Sequence, residues 1–243
     1  MANQHVDGLD KLVTFLAKRD GIDKLVKTFQ YVGKLMHLYA QHRHPDVADR
    51  FKKLELASGI ARKAFRSGRF LTGFNCLRKT TYPDWKVCGL AILANAGEMI
   101  YFFFDHITFF SRVGFLNPAL APRSCFYSAF GEGFGYIFAM MADSIFISRG
   151  LSEERRVRDK IRQLEREDPG NPSSTEMHKA RARISQLRMD RVMRLCSIAA
   201  CAADLIIAIN DVEPNPFVSH PLTLGVSGLV SAWAGWYRLW PGV

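Results

Sequence analysis

Residues 87–104 read VCGLAILANAGEMIYFFF, and this stretch decides what kind of fold the chain has. It carries a single charge, Glu98, and the apolar character continues past Asp105 to Phe115. A run of this length and composition predicts a helix embedded in a membrane or lying against it. Glu98, Asp105 and Arg112 are seven residues apart, which puts them on one side of that helix. Because a charge facing lipid costs about 2.5 to 3.5 kcal/mol, this side is expected to face other helices or water.

A second apolar run covers residues 124–148 and also has a polar side. Glu132 and Asp143 are eleven residues apart, so they share one face of the predicted helix. Small residues that let membrane helices approach closely recur at every fourth position of the run: Gly131, Gly135 and Ala139. This ladder is a candidate self-association face, and packing inside one subunit is an equal alternative.

The C-terminal part of the chain alternates charged and apolar segments. Residues 150–178 are strongly charged and contain a turn at 168–172. Residues 179–243 start as a basic helix, become apolar, and end with the run 222–240, in which Arg238 lies among aromatic residues. We predict a C-terminal transmembrane helix over this last run. The last two apolar segments form a predicted hairpin. Arg238 and the basic start of the preceding helix place positive charge on the same side of this hairpin, which predicts a cytosolic C-terminus.

The first 80 residues predict three amphipathic helices. On the third, placed at about 46–79, apolar residues gather on one side and basic residues on the other. Such a helix is typical of membrane-surface binding, and a solvated face in a soluble helical bundle is the alternative. The basic residues predicted to hold anionic phospholipid are Lys52, Lys53, Arg62, Lys63, Arg66 and Arg69. The apolar residues predicted to enter the lipid are Phe51, Leu54, Phe65 and Leu71.

The composition excludes several classes of protein. The 243 residues carry a formal charge of +10, which favours anionic partners such as phospholipid headgroups or nucleic acid. Aromatic residues are not interleaved with the basic ones and no nucleic-acid-binding signature occurs, so no nucleic acid is expected. The five cysteines follow no disulfide or metal-ligand pattern, and nucleotide-binding and hydrolase motifs are absent from the sequence. We expect no enzyme activity, no catalytic residue, no cofactor and no metal.

Together these patterns predict an all-α fold, a membrane-associated helical bundle. Four regions are expected: amphipathic helices for membrane remodelling at 1–80, an apolar hairpin at 85–149, a charged helix and loop at 150–178, and a basic-to-apolar helix with a C-terminal span at 179–243.

Two N-terminal stretches carry a family resemblance. The first reads LAKRDGIDKL at residues 16–25 and is followed by Gln30, Tyr31 and Lys34; the second reads ARKAFRSGRF at residues 61–70. Together they resemble the signatures of the eleventh peroxin family, the peroxisome-elongation membrane proteins. The order of apolar middle, charged segment and apolar C-terminal hairpin is also similar, and most like the plant and algal members.

The resemblance implies a multi-pass peroxisomal membrane protein that elongates and tubulates the organelle before fission. It implies amphipathic helices in the cytosolic leaflet, homo-oligomers, a peroxisomal membrane-protein import receptor, and recruitment of an adaptor of a dynamin-related GTPase. A solute-conducting channel is the alternative role. Its path through an oligomer would be lined by the polar residues of the two apolar runs: Glu98, Asp105, Arg112, Glu132 and Asp143.

Overall fold

The computed structural model describes residues 7–80, 84–167, 175–215 and 217–242, and every regular element in these ranges is an α-helix. The predicted all-α fold is therefore confirmed. The bounds of the described helices are α1 Gly8–Leu16, α2 Arg19–Ala40, α3 Pro45–Phe65, α4 Phe70–Lys79, α5 Trp85–Arg112, α6 Leu120–Glu167, α7 Thr175–Val212 and α8 Pro221–Leu239. The turn predicted at 168–172 lies outside the described residues.

Six of the described helices form a closed ring. In order around the ring, α5 packs on α6, α6 on α7, α7 on α8, α8 on α2 and α2 on α3, and α3 returns to α5. The other two pack on members of this ring, α1 on α2 and α4 on α5. Phe15 of α1 is fully buried and stacks on Trp236 of α8, with ring centroids 4.3 Å apart. The chain's first and last described helices are thereby joined.

The ring has two distinct ends. Beyond their apolar parts, α6 and α7 continue side by side as a charged hairpin, residues 150–167 and 175–194, which is crosslinked by pairs such as Arg183–Glu153 at 2.7 Å. The start of α2 and the end of α8 lie at this end of the ring, which we call the hairpin end. The turns that follow α2, α5 and α7 lie at the opposite end, which we call the loop end.

Helix α5 of the same chain packs closely against the small residues Gly131 and Gly135 of α6. A Cβ added at Gly97 would lie 2.6 Å from the amide nitrogen of Gly135 and 2.7 Å from the carbonyl oxygen of Gly131. Such contacts require glycine, because backbone atoms cannot move aside as a flexible side chain can. Of the two alternatives left by the sequence, the structure has packing inside one subunit at these glycines. Self-association of the protein stays a prediction.

The single helix predicted at about 46–79 is wrong, because α3 ends at Phe65 and α4 begins at Phe70. Gly68 between them has φ +73°, a left-handed conformation that glycine adopts without steric cost. Its amide donates a hydrogen bond to Nε2 of His106 at 3.1 Å. This turn lets α4 pack on α5 instead of continuing the direction of α3.

Three of the described helices, α5, α6 and α7, are long and apolar enough to cross a membrane. The predicted C-terminal span forms the helix α8, but α8 is not among these three, because its glycine, serine, tryptophan and arginine residues lower its mean hydropathy. One side of α8 instead receives α2: a Cβ at Gly228 would lie 2.2 Å from the ring of Tyr31. A membrane crossing by α8 stays a prediction.

Candidate functional site: a polar interior

The ring is polar inside and carries large apolar side chains on its outside. In α2, Asp23 and Lys27 are 2% and 3% exposed, whereas Phe29 is 47% and Tyr39 is 70% exposed. A soluble bundle of amphipathic helices buries its apolar faces. The opposite arrangement suits a protein whose outer surface meets lipid and whose interior meets water or its own charges.

Two polar cavities lie along the inside of the ring. The hairpin-side cavity has a volume of about 390 Å³, and the side chains that line it include Lys24, Asn95, Glu98, Ser197, Cys201 and Arg238. The loop-side cavity has a volume of about 160 Å³, and its lining includes Gln30, Arg62, Asp105, Arg112, Cys125 and Asp211. The lining of both cavities therefore contains charges of both signs.

A buried ion pair joins α2, α7 and α8 between the cavities. Nζ of Lys27 lies 2.5 and 2.8 Å from the two carboxylate oxygens of Asp204 and 2.6 Å from the hydroxyl of Ser231. The Ser231 hydroxyl donates to Asp204 at 2.5 Å. Each buried charge is thus paired and also hydrogen-bonded to a neutral group, which offsets the cost of taking it from water.

A second set of ion pairs joins α2, α3 and α5. The guanidinium groups of Arg62 and Arg66 lie 3.2 and 3.3 Å from the carboxylate of Asp23. Arg66 also contacts Asp105 at 3.4 Å and the hydroxyl of Tyr101, and Lys63 pairs with Asp105. These contacts hold the junction between α3 and α5 that closes the ring.

The apolar and basic residues predicted to bind lipid lie in two different places. Leu54, Phe65 and Leu71 are 41%, 42% and 59% exposed on the outer surface, and Phe51 is half-buried. Three cations at the end of α3 and directly after it turn inward: Arg62, Lys63 and Arg66. Their partners are Asp23 of α2 and Asp105 of α5.

The remaining predicted lipid-binding cations pair nearer the surface. Lys52 lies 2.9 Å from Glu55, Lys53 lies 2.6 Å from Asp49, and Arg69 lies 3.0 Å from Asp20. Of these cations, Lys53 has the most exposed side chain, at 75%. Lipid binding by these groups stays a prediction.

Four of the five residues of the predicted polar side line the cavities. Glu98 borders the hairpin-side cavity, Asp105 and Arg112 border the loop-side cavity, and Glu132 borders both. Asp143 lies apart from them and pairs with Arg194 of α7 at 2.9 Å. Ala139 of the small-residue ladder also lines the hairpin-side cavity.

Asp84 ties the start of α5 to α6 at the hairpin end. Its carboxylate accepts a hydrogen bond from the amide of Val87 at 2.8 Å and another from Arg149. These two bonds lower the pKa of the Asp84 carboxyl below its ordinary value.

In the described part of the chain, no group of three or more His, Cys, Asp or Glu side chains is placed to hold a metal ion.

The sequence reasoning missed Lys27, Tyr101 and Ser231 as parts of the interior. Asp204 is a solitary acid in the apolar stretch of α7, and such an acid requires a partner. The signal that points to Lys27 is its place on the polar side of α2, opposite Phe29 and Val32. The sequence does not give the packing of α2 against α7 and α8, which brings the pair together.

The chain is similar to one family of known proteins over nearly its whole length. Residues 9–240 match the family model described as Peroxisomal biogenesis factor 11 (PEX11). The chain is 57% identical over 235 residues to "Peroxisomal membrane protein 11-4" of Oryza sativa subsp. indica, an alignment that covers 97% of this chain and 98% of the relative. It is 52% identical over 236 residues to "Peroxisomal membrane protein 11B" of Arabidopsis thaliana, with 97% and 99% covered.

A more distant relative extends the similarity beyond plants. "Peroxisomal membrane protein 11 homolog" of Dictyostelium discoideum is 28% identical over 245 residues, with 96% of this chain and 94% of the relative covered. No solved structure matches the chain. The family match over nearly the whole chain and these identities confirm the resemblance carried by the two N-terminal stretches: the chain belongs to the PEX11 family of peroxisomal membrane proteins.

Proposed function

We propose that this protein elongates the peroxisomal membrane ahead of fission by inserting the outer surface of α3 and α4 into one leaflet. The observation that carries the proposal is the outward apolar surface of these two helices, on which Leu54, Phe65 and Leu71 are exposed. Apolar side chains at headgroup depth expand one leaflet relative to the other and so favour positive curvature. Lys53, the most exposed of the predicted lipid-binding cations, adds attraction to anionic phospholipid.

Self-association would raise the local density of such insertions until the membrane forms a tubule. The elongated membrane is then the substrate of a dynamin-related GTPase, recruited through an adaptor. In this proposal the protein needs no catalytic residue of its own, because the free energy of apolar insertion bends the membrane.

Peroxisome length in cells that produce the full chain tests the proposal. Phe65→Gln with Leu71→Gln removes apolar area from the outer surface and is expected to shorten peroxisomes toward the length without the protein. Thr72→Gln is the matched control, since Thr72 is an exposed polar residue next to Leu71 in helix α4. Equal elongation by the double variant and the control, at equal amounts in the membrane, would contradict insertion of this surface.

A second candidate function is passage of small polar solutes across the membrane, and the polar interior favours it. Two water-accessible cavities lie along the inside of a ring that carries large exposed apolar side chains on its outside. Purified full chain reconstituted in liposomes should then raise the permeability to glycerol, measured by light scattering after an osmotic step. Permeability equal to that of protein-free liposomes would contradict this candidate and leave membrane elongation untouched.

A further inference from the structure

The two cavities meet at one layer of side chains. Five residues line both cavities: Lys27, Arg66, Tyr101, Glu132 and Asp204. Lys27, Tyr101, Glu132 and Asp204 come from α2, α5, α6 and α7, and Arg66 directly follows α3, so five segments of the ring contribute to the same level. We call this layer the waist.

The order of lining residues along α5 shows that the cavities are stacked end to end. Asn95 and Glu98 line the hairpin-side cavity, Tyr101 lines both, and Asp105 and Arg112 line the loop-side cavity. At 1.5 Å per residue, Asn95 and Arg112 are about 26 Å apart along the helix axis. The hydrocarbon core of a bilayer is about 30 Å thick. The length over which the two cavities extend is therefore close to the thickness of that core.

The same order holds on α6 and α7. On α6 the sequence from the loop end is Ser128, then Glu132 at the waist, then Gly135. On α7, which runs the other way, Ser197 lines the hairpin-side cavity and Asp211 the loop-side cavity, on either side of Asp204. The waist is thus a single level of the ring, crossed by helices of both directions.

Side-chain contacts join the residues at the waist in two groups. Lys27, Asp204 and Ser231 form the mutual contacts already given, at 2.5 to 2.8 Å. The hydroxyl of Tyr136 lies 2.7 Å from Glu132 and 3.4 Å from Asp204, which links α6 to the same pair. Arg66 donates to the hydroxyl of Tyr101 on the other side of the ring.

We propose that the waist is the gate of a solute path that runs through a single chain, and that the Lys27–Asp204–Ser231 contact holds it shut. The proposal rests on solute passage, the second candidate function above, and it places the path inside one ring instead of between subunits. The path would take small polar solutes without strong selection for charge. Each cavity is lined by five cations and four acids, so neither sign is favoured.

Two native cysteines report on the gate, because Cys201 lines the hairpin-side cavity and Cys125 the loop-side cavity. The experiment uses the full chain in liposomes, with serine at the other three cysteines: Cys76, Cys88 and Cys196. A small, membrane-impermeant cationic methanethiosulfonate is added outside, and glutathione is sealed inside as a quencher. When the waist is closed, the reagent reaches only the cysteine in the cavity that faces the outside of the liposome. Each molecule is therefore expected to gain one adduct, measured by intact-protein mass, in either orientation of the protein in the membrane.

The double variant Lys27→Met with Asp204→Asn is designed to open the gate, and it is expected to gain two adducts per molecule. It removes both charges together, so neither is left buried without its partner. Asp143→Asn is the matched control, since it breaks the Asp143–Arg194 pair between α6 and α7 and neither residue lines the hairpin-side or the loop-side cavity. This control is expected to keep one adduct.

Three outcomes would overturn the gate: two adducts in the parent, no adduct in the parent, or one adduct in the folded double variant. Size-exclusion chromatography of each variant establishes that the double variant is folded before its adducts are counted. Glycerol permeability separates this proposal from the function on which it rests. Two adducts in the double variant, together with a parent whose glycerol permeability equals that of protein-free liposomes, would support a closed waist between the cavities and contradict solute passage by the parent protein.

Discussion

Gly97→Ala tests the packing that holds α5 against α6. The added Cβ would lie 2.6 Å from the amide nitrogen of Gly135 and 2.7 Å from the carbonyl oxygen of Gly131. The shorter contact is about 0.8 Å inside the ordinary van der Waals range, which begins near 3.4 Å. Both neighbours are backbone atoms of a helix, so relief requires that the two helices separate. Overpacking of this kind costs about 1 to 3 kcal/mol.

Gly89→Ala is the control, because Gly89 is in the same helix and a Cβ there would meet nothing within 4 Å. Both variants gain the same helix propensity, about 0.8 to 1 kcal/mol, so the difference between them isolates the packing cost. Unfolding by a denaturing detergent, followed through the fluorescence of the four tryptophans, measures that difference. We expect Gly97→Ala to be less stable than Gly89→Ala by about 1 to 3 kcal/mol. Equal stability of the two variants would refute close packing at Gly97.

Four further outcomes are expected. Gly228→Ala places a Cβ 2.2 Å from the ring of Tyr31, so α2 should separate from α8 and be cut faster by trypsin than in the parent. Asp105→Asn removes the acid that pairs two inward cations and should cost about 3 kcal/mol in the detergent unfolding assay. Asp49→Asn breaks an exposed pair and should cost less than about 1 kcal/mol in the same assay. Glu154→Gln removes the carboxylate shared by three arginines, so the charged hairpin should be cut faster by trypsin with the ring unaffected.

The sequence predicts the helices well, because each apolar run or amphipathic stripe is a local pattern. The apolar runs lie in α5, α6 and α7, and Asp105 and Arg112 of the predicted polar side of α5 both line the loop-side cavity. Gly68 marks the limit of this reasoning. Glycine is tolerated inside a helix or at a turn, and contacts with other helices, such as the hydrogen bond from its amide to His106, favour the turn.

The interior of the ring could not be predicted in the same way, because it depends on which helices are neighbours. Lys27 and Asp204 are 177 residues apart in sequence, and no local pattern relates them. The ladder at Gly131 and Gly135 had the same ambiguity. A small-residue face indicates that some helix approaches closely, and the surface of a single helix does not specify whether that helix belongs to the same chain.

The direction of an amphipathic face depends on the solvent as well as on the sequence. The periodicity of α2 establishes that polar and apolar residues lie on opposite sides, but the surrounding medium decides which side turns inward. In water the apolar side would be buried, and Asp23 would remain hydrated. With lipid outside, apolar groups gain nothing by leaving it, whereas each unpaired charge avoids a large cost by turning inward to a partner. The pairing of Arg62 with Asp23 inside the ring, and the outward position of Phe29, therefore have one cause.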